Sequence, residues 1–312
     1  MPRLRDRQRT CLAGGMVVVA SLLLSGCSTT PAVKQVSYPG DSKAVAGSGS
    51  GSQLAFPDRL DQAYTIVLPG IWGSQPVDYG IVTGLQDGDV PSAIELYDWT
   101  DGALRLVHNL RDIDHNQREA HKIAAKIVAY QDRYPGRPVH LVGYSGGAGV
   151  AVLTLEALPP NHRITDAILL APTLASDYDL RPALSRTTHG IRNFYSPLDV
   201  PILMVLSTAF GTTEGQHVAA AGAIGFQPPK ESGPETRRNY ESQVSQQSYN
   251  LDMLKDGHGG GHFGWANRTF IARHVAPLLN PPAAPLPPTE TASTAPTERL
   301  ATTPISATAG NQ

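Results

Sequence analysis

A serine at the centre of a glycine-flanked turn is the first residue of this sequence suited to covalent chemistry. Ser145 lies in Gly143-Tyr-Ser-Gly-Gly147, directly after an apolar run over residues 139–142. A strand, a tight turn and a helix around this pattern present the serine as a nucleophile. The backbone N–H of Gly146, at the start of the predicted helix, would face a developing oxyanion. The alternative is a glycine-rich turn with a solvated serine.

A serine hydroxyl is a poor nucleophile near neutral pH and needs a base, oriented in turn by a carboxylate. His258 and His262 compete as the base, because both lie in one glycine-rich segment near the end of the domain. For the acid we favour Asp199, which follows a predicted strand by three residues; Asp177 and Asp179 follow the preceding strand. Asp199 is also suited to capping the helix predicted to follow it.

Strands and helices alternate along the middle of the chain, and this alternation would carry the candidate residues to one edge of a sheet. Helical spacing of apolar residues predicts helices over 116–134, from the serine turn to about 158, over 201–209 and over 270–279. Apolar and β-branched runs predict strands at 64–68, 93–97, 139–142, 166–172, 190–196 and near 248–253. The pattern predicts a mostly parallel sheet of about six strands or more, with helices on both faces.

Together these features resemble the α/β-hydrolase superfamily, and most of all its esterase and lipase branch. The resemblance covers roughly residues 60–280 and rests on the serine turn, the strand–helix alternation, the closing helix and the chain order Ser145, Asp199, His262. It implies the α/β-hydrolase fold with these three residues as the catalytic triad. It also places a second oxyanion donor at Ile71, in the loop after the first predicted strand. Tyr144 departs from the residue usual before the serine.

The first 27 residues have the pattern of an exported lipoprotein. Four arginines precede a short apolar stretch over residues 11–25, typical of a secretory signal peptide. The stretch ends in Leu24-Ser-Gly-Cys27, which resembles a bacterial lipobox and implies cleavage before Cys27 and lipidation of that residue. The protein would then be anchored to a membrane of the cell envelope, and Ser28 favours the outer membrane by the same resemblance. An ordinary signal peptide with an incidental cysteine is the alternative.

Composition divides the chain into four segments. Residues 1–26 are the predicted signal peptide, 27–55 a flexible Gly/Ser-rich tether, 56–280 the α/β-hydrolase domain, and 281–312 a disordered tail rich in Pro, Thr and Ala. The weakly periodic stretch 211–245 is interpreted as a loop or partial cover over the site.

Charge and cysteine content exclude other classes of function. The net charge of −2, with 17% charged residues, predicts no nucleic-acid-binding surface. Both cysteines, Cys11 and Cys27, lie in the first 27 residues, so no disulfide, thiolate metal site or cysteine nucleophile is predicted. No metal is predicted at His258 and His262, because three glycines separate them and disfavour a helix. Four other histidines are interpreted as solvated or capping residues: His108, His115, His121 and His217.

The predicted activity is hydrolysis of a carboxylic ester through an acyl-enzyme intermediate. His262 would take the proton of Ser145, while the N–H groups of Gly146 and Ile71 hold the oxyanion. No cofactor is required, and the expected partners are a small-molecule or lipid ester and the membrane, through Cys27. An amidase or peptidase with the same fold and a non-catalytic binding lipoprotein are the alternatives.

Overall fold

The apolar runs of the sequence form the strands of one sheet. The structure is a computed structural model, which describes residues 53–199, 219–228 and 233–280. Within these residues the sheet has seven strands in the order β1-β3-β2-β4-β5-β6-β7. They are β1 (Gln53–Ala55), β2 (Tyr64–Leu68), β3 (Ala93–Leu96), β4 (Val139–Tyr144), β5 (Asp166–Leu170), β6 (Ile191–Tyr195) and β7 (Val244–Ser248).

All strand pairings are parallel except that of the edge strand β1, which pairs antiparallel with β3. This sheet, with the strand–turn–helix connection after β4, is the α/β-hydrolase fold, and the predicted fold class is confirmed. None of the helices in the described residues is long and apolar enough to cross a membrane.

Helices connect the strands and cover both faces of the sheet. In chain order they are α1 (Pro76–Asp87), α2 (Leu106–Arg111), α3 (Ile113–Arg133), α4 (Gly146–Ala157), α5 (Arg181–Leu184), α6 (Ala221–Ile224), α7 (Pro234–Gln243), α8 (Arg268–Phe270) and α9 (Ala276–Leu279). A π-helical turn, Ile271–Val275, joins α8 to α9 into one closing segment.

Successive side chains along each strand point to opposite faces of the sheet, and an apolar core lies on each face. In β2, Ile66 and Leu68 face the core that α3 and α4 cover, whereas Val67 faces the core that α1 and the closing segment cover. The central strands β2, β4 and β5 are buried along their whole length, as expected of a parallel sheet covered on both faces. The carboxyl ends of β2, β4 and β6 therefore form a rigid edge, and the candidate residues follow these strands directly.

Two boundaries differ from the sequence prediction. The edge strand Gln53–Ala55 lies in the stretch assigned to the tether, so the folded domain begins at residue 53 or before it rather than at Phe56. The last strand is Val244–Ser248, and the predicted position near 248–253 is wrong because residues 251–256 form a 3-10 helix. Most residues of this strand are exposed and polar, so it lacks the run of apolar residues from which a strand is predicted.

The described parts of the stretch 211–245 contain α6, α7 and the start of β7 rather than an extended loop. The predicted signal peptide, the lipidation site Cys27, nearly all of the tether, the predicted helix at 201–209 and the tail at 281–312 lie outside the described residues.

Candidate active site

The turn between β4 and α4 holds Ser145 in a conformation that L-residues rarely adopt. Its backbone angles are φ 55° and ψ −119°, and this bend turns the side chain away from the sheet. A Cβ at Gly143 would lie 2.5 Å from the Cα of Ala148, and one at Gly147 would collide with carbonyl oxygens at the end of β2. The two glycines are therefore required by close approach of the backbone on both sides of the serine.

The structure brings Ser145, His262 and Asp199 together in one hydrogen-bonded chain. Ser145 Oγ lies 3.0 Å from His262 Nε2, and His262 Nδ1 lies 2.7 Å from Asp199 Oδ2. All three side chains are buried. Because a carboxylate accepts, Nδ1 carries a proton, and in the neutral ring Nε2 is left as an acceptor for the serine hydroxyl.

Asp199 ends the 3-10 turn Pro197–Asp199, which follows β6. Burial raises the pKa of its carboxyl above the ordinary value, and the neighbouring His262 opposes that shift. Its second oxygen, Oδ1, has no hydrogen-bond partner among the described residues. The two other candidate acids are placed differently: Asp179 forms an ion pair with Arg181, and Asp177 is exposed.

The loop that carries His262 is fixed to the turn that carries the acid. Ser196 Oγ donates to the carbonyl oxygen of Gly260 at 2.5 Å and accepts from the backbone N–H of Leu198 at 3.1 Å. The N–H of Gly260 donates to His258 Nδ1 at 2.9 Å. Both backbone polar groups of Gly260 are therefore satisfied, and the loop of the base is bound to the turn of the acid.

His258, the competing base, serves the loop rather than the serine. It is fully buried between three aromatic rings, those of Tyr249, Trp265 and Phe270, at centroid distances of 5.0, 4.0 and 5.0 Å. Burial lowers the pKa of its imidazole from 6.5 to about 4, so the ring is neutral near pH 7. A neutral ring with a lone pair on Nδ1 is what the Gly260 N–H requires.

The loop after β2 lies against the serine turn. Positions at Gly70 and Ser145 are close enough that a Cβ added to Gly70 would be 3.6 Å from Ser145 Cβ. A Cβ added to Gly146 would collide with the side chain of Ile71, so these two residues are immediate neighbours. Within the described residues, neither the N–H of Ile71 nor that of Gly146 has a hydrogen-bond acceptor. Two free donors thus lie beside the serine.

The carbonyl groups of this loop are bound on the side away from the serine. Asn109 Nδ2 donates to the carbonyl oxygen of Ile71 at 2.8 Å, and Trp99 Nε1 donates to that of Pro69 at 2.8 Å. The Ile71 N–H belongs to the same peptide unit as the carbonyl of Gly70, which accepts from the N–H of Gly73 at 3.0 Å. The bonds to the carbonyls of Pro69 and Ile71 hold the peptide units on either side of it.

Asp78 holds the same loop through its N–H groups. Its carboxylate accepts from Gly70 at 3.1 Å and from Gln75 at 3.0 Å. The side chain is buried, and burial raises its pKa to about 7 although these two hydrogen bonds lower it. The side chain that holds this loop is therefore itself a titratable group whose pKa burial has raised.

A separate cluster of possible metal ligands follows β3. Asp101, His108 and His115 each offer one ligand atom, and these atoms all lie within 4.8 Å of one another. The interpretation of His115 as a solvated or capping residue is wrong, since its side chain is buried and its Nε2 lies 2.9 Å from the carbonyl oxygen of Trp99. His108 is partly buried and lies between two carboxylates, those of Asp101 and Asp112.

Comparison with known proteins gives only distant structural likeness. No protein-family model and no curated protein matches the chain. Solved structures that are similar include a dienelactone hydrolase-like promiscuous phosphotriesterase from metagenomic libraries, at 15% identity and TM-score 0.41, covering 70% of this chain and 86% of that one. Another is an α/β serine hydrolase without a lid from Xanthomonas campestris, at 14% identity and TM-score 0.41, covering 75% and 91%. A third is a poly(3-hydroxybutyrate) depolymerase from Bordetella parapertussis, at 14% identity and TM-score 0.42, covering 73% and 83%.

Since all three TM-scores lie below 0.5, the fold assignment stands on the sheet order and the turn at Ser145. The names of these proteins assign no activity to this chain.

Sequence reasoning missed the residues that orient the site. Asn109, Asp78 and Ser196 act on backbone groups, and those contacts span 38, 8 and 64 residues of sequence. Only Asp78 had a local signal, because it sits three residues after Gln75 and completes a helix capping box.

Proposed function

We propose that the protein is a lipid-anchored serine hydrolase that cleaves a carboxylic ester through an acyl-enzyme intermediate. The observation that carries this proposal is the buried chain Ser145 Oγ, His262, Asp199, with contacts of 3.0 and 2.7 Å, on a strained strand-to-helix turn. A serine, a base and an orienting carboxylate in this geometry form an activated nucleophile.

In the acylation step, Ser145 Oγ attacks the ester carbonyl carbon while His262 Nε2 takes the hydroxyl proton. The electron pair of the carbonyl moves onto oxygen, and the N–H groups of Ile71 and Gly146 stabilise that oxyanion. The tetrahedral intermediate then collapses: the bond to the leaving alkoxide breaks, and His262 returns the proton to it. Asp199 stays ionised and stabilises the imidazolium.

In the deacylation step, a water molecule attacks the acyl-serine and His262 takes its proton. Collapse of the second intermediate breaks the bond between Ser145 Oγ and the acyl carbon, and the proton returns to the serine. The products are a carboxylic acid and an alcohol, and no cofactor takes part.

The test is turnover of p-nitrophenyl acetate and butyrate by the purified protein. Ser145→Ala and His262→Ala should each lower kcat by about 10³-fold or more, and Asp199→Asn by about 10²- to 10⁴-fold. Asp179→Asn is the matched control. Asp179 was an alternative candidate for the acid, but in the structure it forms an ion pair with Arg181. Full activity in Ser145→Ala would refute the proposal.

Bond and chain-length preference follow from the same assay with matched substrates. We expect the ester to be cleaved faster than the corresponding anilide, because an alkoxide or phenoxide is a better leaving group than the nitrogen of an anilide. A profile of acyl chains from two to twelve carbons then defines the acyl pocket. Faster cleavage of the anilide would assign the protein to the amidases instead.

The anchor is proposed from the Leu24-Ser-Gly-Cys27 pattern, with the folded domain outside the cytoplasm and the outer membrane as its site. Cys27→Ser should abolish lipid modification and release the protein from the membrane fraction after expression in a bacterial host. Retention of Cys27→Ser in that fraction would contradict lipid anchoring at this residue.

A further inference from the structure

The cluster Asp101, His108 and His115, which follows β3, has features that the proposed catalytic cycle does not use. None of the three side chains contacts the triad through a hydrogen bond in the described residues. They do, however, bring two imidazole nitrogens and one carboxylate oxygen within 4.8 Å of one another.

His115 presents a lone pair to a carboxylate. Its Nε2 lies 2.9 Å from the carbonyl oxygen of Trp99, and because a carbonyl only accepts, Nε2 carries the ring proton. In the neutral ring Nδ1 is then an acceptor, yet it faces Asp101 Oδ2 at 3.7 Å. At 3.7 Å these two acceptors share no hydrogen bond, and a cation placed between them would be bound by both.

His108 approaches the same oxygen from another direction. Its Nε2 lies 2.9 Å from Asp101 Oδ2, and its Nδ1 lies 3.3 Å from Asp112 Oδ2. A histidine that binds a metal through one nitrogen commonly donates its other N–H to a carboxylate or a backbone carbonyl. The Trp99 carbonyl is such a partner for His115, and the Asp112 carboxylate lies within ion-pair distance of the corresponding nitrogen of His108.

The geometry points to a binding site for a divalent transition-metal ion of the zinc class, held by Asp101 Oδ2, His108 Nε2 and His115 Nδ1, with water completing the coordination. Bonds of about 2.0–2.2 Å in a tetrahedron place neighbouring ligand atoms about 3.4 Å apart. The two observed spacings to Asp101 Oδ2, 2.9 and 3.7 Å, lie on either side of that value. Two imidazoles with one carboxylate suit Zn²⁺ better than Mg²⁺ or Ca²⁺.

One competing cation is present. Arg105 Nη1 lies 3.4 Å from Asp101 Oδ2, but its side chain is 58% exposed. An exposed pair of this kind contributes little to stability, so its loss would oppose metal binding only weakly.

The site would fix the turn that supports the loop after β2. The N–H of Asp101 donates to Asn109 Oδ1 at 3.1 Å, and Asn109 Nδ2 donates to the carbonyl oxygen of Ile71 at 2.8 Å. Metal binding would therefore stabilise the segment from residue 99 to 115. The binding claim itself is independent of the proposed hydrolase activity.

The test is direct titration of the chelator-stripped full-length protein with Zn²⁺ in competition with a chromophoric chelator, followed by Co²⁺ titration and visible spectroscopy. We expect one equivalent of Zn²⁺ to bind and one Co²⁺ to give the absorption of a four-coordinate site. His108→Ala and Asp101→Asn should each weaken Zn²⁺ binding at least 10-fold. Both positions are partly exposed, so the variants should fold.

His121→Ala is the matched control, because His121 is an exposed histidine on α3, the helix that also carries His115. It should bind Zn²⁺ as the unaltered protein does. Zn²⁺ should also raise the Tm of the unaltered protein and of His121→Ala, but not that of His108→Ala. Absence of stoichiometric binding, or equal binding by His108→Ala, would overturn the proposal.

Discussion

At the scale of single residues, Ser145 has a strained backbone and a side chain that contacts His262. Its φ of 55° with ψ of −119° is a conformation that costs a non-glycine residue about 1–3 kcal/mol. The surroundings enforce it, since the N–H of Ser145 donates to the carbonyl of Leu170 at 2.8 Å and its carbonyl accepts from Ala148 at 3.1 Å. The strain lies at the proposed nucleophile, where it exposes Oγ to His262.

This strain predicts an unusual order of stability between two substitutions. Ser145→Gly should be more stable than Ser145→Ala by about 1 kcal/mol, because glycine relieves the strain at positive φ and alanine retains it. Urea unfolding of both variants measures the difference. Ser185, an exposed serine with a φ of −63°, is the control site. There alanine should be the more stable, and the same order at both sites would contradict strain at Ser145.

At the scale of elements, the loop after β2 is positioned by side chains from distant segments. Asn109, at the end of α2, reaches across 38 residues of sequence to the carbonyl oxygen of Ile71 and also donates to Gly102. This bond fixes the peptide unit that follows Ile71 and so restrains the backbone next to the proposed donor. Asn109 is thus a positioning residue for the proposed oxyanion site.

Asn109→Ala should therefore lower kcat about 10-fold with little change in KM, because the transition state loses an oriented donor while substrate binding is retained. Steady-state kinetics with p-nitrophenyl butyrate separates the two parameters. Asn161→Ala, at an exposed asparagine in another loop, should leave both unchanged. A rise in KM at constant kcat would remove Asn109 from this role.

The composition of each element explains how well the sequence predicts it. Central strands such as β2 are apolar on both faces, so their composition marks them out. Helix α1 lacks that signal because it contains Gly80 and Gly84, which have low helix propensity. Those glycines are needed by the closing segment: a Cβ at Gly84 would lie 2.6 Å from the carbonyl oxygen of Arg268. Such contacts exist only in the folded chain.

The candidate triad could be predicted from a local motif and from chain order, whereas the residues that support it could not. Ser145 has a local motif, and chain order with loop position selected Asp199 and His262, which the structure brings into contact. His258 has the same local neighbourhood as His262, and only packing separates them: one contacts the serine, the other three aromatic rings.

At the scale of the whole molecule, buried titratable groups couple folding to pH with opposite signs. Burial lowers the pKa of His258 from 6.5 to about 4, so between these values the unfolded chain takes up a proton that the folded chain refuses. Stability from His258 is therefore lost as pH falls below 6.5. Burial raises the pKa of Asp78 from 3.8 to about 7, so its contribution falls as pH rises across that interval.

Because His258 and Asp78 affect the pH dependence of stability in opposite directions, the contribution of His258 is measured by comparing the unaltered protein with a His258 variant. Between pH 7.5 and 5 the unaltered protein should lose about 2 kcal/mol more unfolding free energy than His258→Asn, which keeps an acceptor for Gly260 but does not titrate. Urea unfolding at both pH values gives this number. His121→Asn, at an exposed histidine, should behave as the unaltered protein does. Parallel losses in all three proteins would contradict a neutral, buried His258.

The central claim is that Ser145 is a nucleophile activated by His262. Its most direct test is covalent labelling by a fluorophosphonate probe, read by intact mass and peptide mapping. The account predicts a single adduct on Ser145, none in Ser145→Ala, and labelling slowed by about 10³-fold in His262→Ala. An adduct that persists in Ser145→Ala, or an unaltered protein that never reacts, would contradict it.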